Sequence, residues 1–121
     1  MTPPESRRER GIAGELQARQ YLEARGLHCL DAGWRCRLGE LDLVMRDRDV
    51  LVFVEVRTRR EHNTVDALAS IDHGKQRRFV RAARAWLASH PQAAELPARF
   101  DIVAIDGAAV RWLSDAFSVH S

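Results

Sequence analysis

The chain has 121 residues, 45% of them hydrophobic and 30% charged, with a formal net charge of +2. Those figures suit one soluble globular domain, and no apolar run approaches the length of a membrane-spanning helix. The N-terminus MTPPESRRERG lacks the apolar core of a secretion signal, so Cys29 and Cys36 are expected to be reduced thiols in a cytoplasmic protein.

Residues 1–10 are expected to form a flexible basic arm, and residues 11–121 a single domain. Residues 8–25, rich in Ala, Leu, Glu, Gln and Arg, predict a helix stopped at Gly26. Its expected apolar arc is Ile12, Leu16, Ala18 and Leu22, with Glu15 inside it. Residues 27–37 predict a strand with an irregular middle at Asp31 to Gly33. Two apolar strands follow over Gly39–Arg57, joined by a charged turn around Asp47, Arg48 and Asp49. Residues 59–71 read as a loop, with a short helical turn at Val65–Ser70. A second helix runs from Asp72, as N-cap, to Ser89, with Phe79, Val80, Ala83, Trp86 and Leu87 as its apolar stripe. Residues 99–105 make a strand, Asp106-Gly107 a turn and Ala109–Leu113 a last strand. The order α-β-β-β-α-β-β predicts a central mixed five-stranded sheet flanked by helices.

The strand pair at 39–57 carries Glu40, Asp42 and Glu55 within apolar sequence. Period-two alternation puts Leu41, Leu43 and Met45 on one face and Glu40, Asp42 and Val44 on the other. In the next strand Leu51, Phe53, Glu55 and Arg57 share a face. A turn with an even number of residues aligns Asp42, Glu55 and Arg57; an odd one separates them. At ~5 Å and an effective dielectric near 20, two such carboxylates repel by about 3 kcal/mol. Either Arg57 or a metal ion must offset that. An open charge cluster on a hairpin face is the plain alternative. Against it, Leu51 and Phe53 flank Glu55 on the same face, and the Val-Phe-Val run has the character of a central strand buried on both sides. Mg²⁺ would suit such a site, because it takes one or two carboxylates and fills its shell with water and phosphate.

Charge distribution points the same way. From Arg57 to Arg84 there are eight basic residues against three acids, so this window carries +5 and the rest of the chain −3. A basic segment beside an acidic strand pair is what a phosphate-binding surface needs. Lys75 is the sole lysine among nineteen basic residues. The five histidines show no metal-ligand spacing, and Trp34, Trp86 and Trp112 read as core or groove-edge residues. Asp101, between Phe100 and Ile102, is expected to pair with Arg99.

Asp42, twelve residues and then Glu55-Val56-Arg57 resembles the PD-(D/E)-x-K nuclease signature. With Gly14-Glu15 on the opening helix, GELDLVMRD, FVEVRTR, GKQRR and RFDIVAI, nearly the whole chain resembles the YraN-like family of small bacterial proteins. That family is related to archaeal Holliday-junction resolvases. The resemblance implies a restriction-endonuclease-like fold and a metal-dependent endonuclease that binds branched or single-stranded DNA and hydrolyses phosphodiester bonds with Mg²⁺ or Mn²⁺. By position it makes Asp42, Glu55 and the Val56 carbonyl the metal ligands. Glu15 and Arg57 complete the catalytic set, and Arg59, Lys75, Gln76, Arg78 and Arg81 contact nucleic acid. Junction resolution would further call for a homodimer. Two departures stand out. Leu41 replaces the signature proline, and Arg57 replaces the usual lysine; arginine stays protonated and cannot act as a general base. Two rival readings are a non-catalytic nucleic-acid-binding module on the same fold and a structural adaptor with a salt-bridged strand face.

Overall fold

The structure is a computed structural model and describes residues 7–59 and 73–117. Its elements are α1 (Arg7–Glu23), β1 (His28–Cys36), β2 (Gly39–Asp47), β3 (Val50–Arg59), α2 (His73–Ser89), β4 (Ala98–Asp106) and β5 (Ala109–Phe117). The element order is the one the hydrophobic periodicity predicts. The loop and short helical turn expected between β3 and α2, the Asp72 cap and most of the N-terminal arm lie outside the described residues. Arg7–Arg10 belong to α1. No helix among the described residues is long and apolar enough to cross a membrane.

The five strands form one sheet in the order β1-β2-β3-β4-β5. Neighbours run antiparallel except β3 and β4, which are parallel. That exception follows from connectivity: three pairs are joined by two-residue turns, whereas β3 and β4 are separated by α2, and a parallel pair needs such a crossover. β3 lies in the middle, and Leu51, Val52, Phe53 and Val54 are each fully buried. Both faces of a central strand are covered, which is why it reads as an unbroken apolar run.

Two cores lie on opposite faces of the sheet. Ala18 and Leu22 of α1 pack with Leu43, Met45, Val52, Val54, Val103 and Ile105. Phe79, Ala82, Ala83 and Trp86 of α2 pack with Val44, Leu51, Phe53 and Phe100. Phe53 anchors the second core, stacked on Phe100 at 5.5 Å and edge-on to Trp86 at 5.9 Å.

The seating of α1 departs from the expected arc. Ile12 and Leu16 are 57% and 54% exposed. The helix instead touches the sheet along Gly14, Ala18 and Leu22, spaced four residues apart on one line. Leu16 lies roughly 160° around the helix from Ala18. Small residues on the contact line let the helix sit close: a Cβ on Gly14 would meet Thr58 Oγ1 at 3.0 Å and Cγ2 at 3.1 Å. The last strand is also longer than its apolar pattern, reaching Phe117 rather than Leu113.

Candidate functional site

The β2–β3 turn holds two residues, Arg48 and Asp49, between Asp47 and Val50, which face each other. The pairing is therefore the even register, and it runs regularly from Asp47↔Val50 to Leu43↔Val54. There the ladder stops, one residue short of Asp42. The simple alternation expected of β2 fails at this point. Leu43 packs in the α1 core, but Leu41 packs in the α2 core. Asp42 lies at the break, where β2 parts from β3. Across from it, Gly33 of β1 adopts φ +63°, a conformation that non-glycine residues rarely take.

This fork positions the carboxylates. Asp42 Oδ2 accepts the Val56 N–H at 2.8 Å, taking the place of a ladder bond. Asp42 thereby reaches the peptide that follows Glu55. Glu15 arrives from α1 within hydrogen-bonding reach of Asp42, at the level where Gly14 lets that helix approach β3. The carboxylates thus meet at the fork from its two sides, rather than lying flat on one strand face as regular alternation predicts. Asp42 and Glu15 line a cleft of about 720 Å³ on the α1 side, with Ile12, Gly33, Arg35 and Glu40. Glu55 and Arg57 line a cleft of about 440 Å³ on the α2 side, with Arg35, Glu40, Lys75 and Arg78.

The electrostatics of this group are unbalanced. Burial, then the Asp42 charge, raises Glu55 to about 8, against the opposing pull of Arg57 and Lys75. Burial and Asp42 also raise Glu15 to about 7. Asp42 is raised by burial, countered by the Val56 N–H. Arg57 gives one guanidinium nitrogen to Glu55 at 3.2 Å. Its Nε is buried without a hydrogen-bond partner among the described residues. A buried donor left unused is costly and calls for an acceptor. Among the described residues no three His, Cys, Asp or Glu side chains converge as a ready metal cage. The acidic groups at the fork, Glu15, Asp42 and Glu55, offer hard carboxylate oxygens, the donor type that Mg²⁺ takes.

The remaining expected residues distribute unevenly. Lys75 and Arg78 enter the α2-side cleft, Gln76 is half-buried beside them in the first turn of α2, and Arg81 is exposed outside the cleft lining. Arg59 ends β3, where it pairs with Asp106 through the backbone. Arg35 was not indicated by any motif, yet it borders both clefts. Its only signal in the sequence is its place in WRCRLGE, two residues before a hairpin turn that leads into the acidic strand. Asp101 does pair with Arg99, at 3.1 Å.

A family profile, "Uncharacterised protein family UPF0102", matches residues 14–105. A UPF0102 protein of Halorhodospira halophila is 50% identical over 114 residues, covering 94% of this chain and 91% of the relative. One from Alkalilimnicola ehrlichii is 47% identical over 110 residues, covering 91% and 87%. One from Pseudomonas putida is 46% identical over 120 residues, covering 95% and 98%.

Proposed function

The chain belongs to the UPF0102 family, and from that premise we propose that it binds DNA and hydrolyses its phosphodiester bonds at the β2–β3 fork with Mg²⁺ or Mn²⁺. In this reading the mixed sheet with a helix on each face is a restriction-endonuclease-like core. The observation that carries the reading is the under-neutralised carboxylate group at the fork, set between clefts that hold Arg35, Arg57, Lys75 and Arg78. Asp42 and Glu55 would hold the cation, with the Val56 carbonyl. The bound ion supplies Lewis acidity toward water and a phosphoryl oxygen.

The chain's own residues do the rest. The Val56 N–H fixes the Asp42 carboxylate so that one oxygen stays committed and the other is presented. Glu15 hydrogen-bonds the Asp42 carboxylate from α1. Arg57 offers its spare Nε–H and remaining N–H groups to the phosphate undergoing attack, stabilising charge that grows in the transition state. It holds its proton throughout and takes no part in base catalysis. Lys75, Gln76 and Arg78, with Arg81 and Arg59 further out, serve the flanking phosphates.

Arg57 also motivates the second reading, a nucleic-acid-binding module without catalysis, because the usual lysine is absent. Cleavage assays on linear, flapped and four-way DNA with Mg²⁺ or Mn²⁺ decide between them. Cleavage that disappears in Glu55→Ala supports the enzyme; equal cleavage by both proteins rejects it. Calorimetric titration of Mn²⁺ should show binding to wild type and none to Asp42→Ala. Indistinguishable titrations would remove the metal site.

A further inference from the structure

Arg35 and Glu40 face each other across the β1–β2 hairpin, closed by the two-residue turn Arg37–Leu38. Arg35 Nε lies 3.2 Å from Glu40 Oε2, and their side chains are 73% and 60% exposed. Among the described residues these two alone line both clefts. They therefore stand at the rim where anything passing from one cleft to the other must cross. The Glu40 charge is also close enough to act on Glu15, Asp42 and Glu55. Uncovered, it would be a fourth negative charge at the entrance of a site meant for a polyanion. Arg35 masks it.

We propose that Arg35 is a movable phosphate-positioning residue, held on Glu40 when the clefts are empty and transferred to a backbone phosphate when nucleic acid lies across the hairpin. The inference rests on the nuclease-like reading above and adds to it a residue and an order of events. The exchange is physically favourable in direction. An ion pair this exposed is weak and easily opened, while arginine binds phosphate through two parallel N–H donors. Arg57 cannot do the same freely, because Glu55 already holds one of its nitrogens in a half-buried setting. The transfer has a second effect: Glu40, once uncovered, adds its charge to Asp42 and Glu55 and strengthens the attraction for a cation. Phosphate and cation would then each favour the other, as reciprocal coupling requires.

The test is binding of a fluorescein-labelled 20-base-pair duplex to the full chain in EDTA, followed by anisotropy over a salt series. Arg35→Ala should weaken binding about 5- to 10-fold and reduce the salt slope by about 1, as loss of one phosphate contact does. Arg35→Lys should keep the slope and recover part of the affinity. Glu40→Gln should tighten binding severalfold in the wild-type background and change little beside Arg35→Ala, because its effect is exerted through Arg35. An equal gain from Glu40→Gln in both backgrounds would reduce the pair to a simple charge effect and overturn the exchange. If Arg35→Ala leaves affinity and slope unchanged while Arg57→Ala and Lys75→Ala weaken binding, the Arg35 role falls and the nuclease-like reading stands. If wild type fails to bind the duplex, both fall together.

Discussion

Asp101 of β4 and Glu55 of β3 lie one register step apart, since Asp101 pairs with Val54 and Glu55 with Ile102. Asp101 is fully buried and fully answered. Its oxygens accept from Arg99 Nε at 3.1 and 3.3 Å, Trp112 Nε1 at 2.8 Å and the Asp115 N–H at 2.9 Å. Arg99 is in turn shared with Asp47 at 3.2 Å. The β4–β5 ladder is irregular between Phe100 and Ile102, and Asp115 takes φ +55°, so the sheet gives up regular pairing to supply that N–H. The fork does the reverse. There Asp42 takes the Val56 N–H and Glu55 takes Arg57, yet burial and mutual repulsion still raise Glu15 and Glu55 well above the ordinary carboxylate range. The first group spends its charge on structure; the second keeps a surplus of negative charge, which the proposed function assigns to a cation. A buried carboxylate alone therefore identifies nothing; what separates the two groups is how far each charge is answered.

This contrast can be broken by substitution. Asp101→Ala should cost about 2–4 kcal/mol, because it leaves the Trp112 and Asp115 N–H groups without their acceptor and takes one of two carboxylates from the half-buried Arg99; urea denaturation would measure it, and a loss under 1 kcal/mol would deny the network its structural role. Trp112→Phe, which removes one of the donors to that carboxylate, should cost about 1.5–3 kcal/mol by the same measurement.

At the fork the sign should invert. Glu55→Gln should stabilise the metal-free protein by about 1–2 kcal/mol at pH 8, by relieving a charge that burial and Asp42 oppose. The pH dependence follows from the raised values of about 7 for Glu15 and about 8 for Glu55. Folding favours the protonated carboxyls, so their contribution is complete below the ordinary carboxylate range and is lost as pH rises from about 4.5 to about 8. Wild type in EDTA should thus lose stability across that window, and Glu55→Gln should flatten the profile. Stability that rises over the same window would contradict the charge imbalance. The smallest effect concerns the approach of α1. Gly14→Ala should cost about 1 kcal/mol through crowding of Thr58, and Thr58→Ala should restore most of it; a loss that the second substitution leaves untouched would mean that the close contact is unimportant.

Much of the molecule was legible in the chain. Five apolar alternating segments and two helical stripes specify the seven elements, and Leu51–Val54 announces the central strand by its unbroken run. Asp42 and Glu55 were visible because acids interrupt apolar alternation. Other features needed three dimensions. Periodicity assumes a regular strand, so it cannot show that β2 breaks step at Asp42 and sends Leu41 to the opposite face from Leu43. The arc drawn through Ile12 and Leu16 favoured large residues, but the close approach of α1 selected Gly14 and Ala18. Arg35 carries no motif and gains its position only because the hairpin folds it back over Glu40.

The Val56 N–H bonds to an Asp42 side-chain oxygen where a neighbouring strand would ordinarily offer a carbonyl. That amide is consequently a built-in spectroscopic reporter. Any ligand that draws the carboxylate away weakens one identifiable bond in the sheet, so the Val56 amide proton should move upfield in NMR and exchange faster with solvent. Its neighbours in the Leu43–Val54 ladder, held by main-chain carbonyls, should remain as they were and serve as the internal reference.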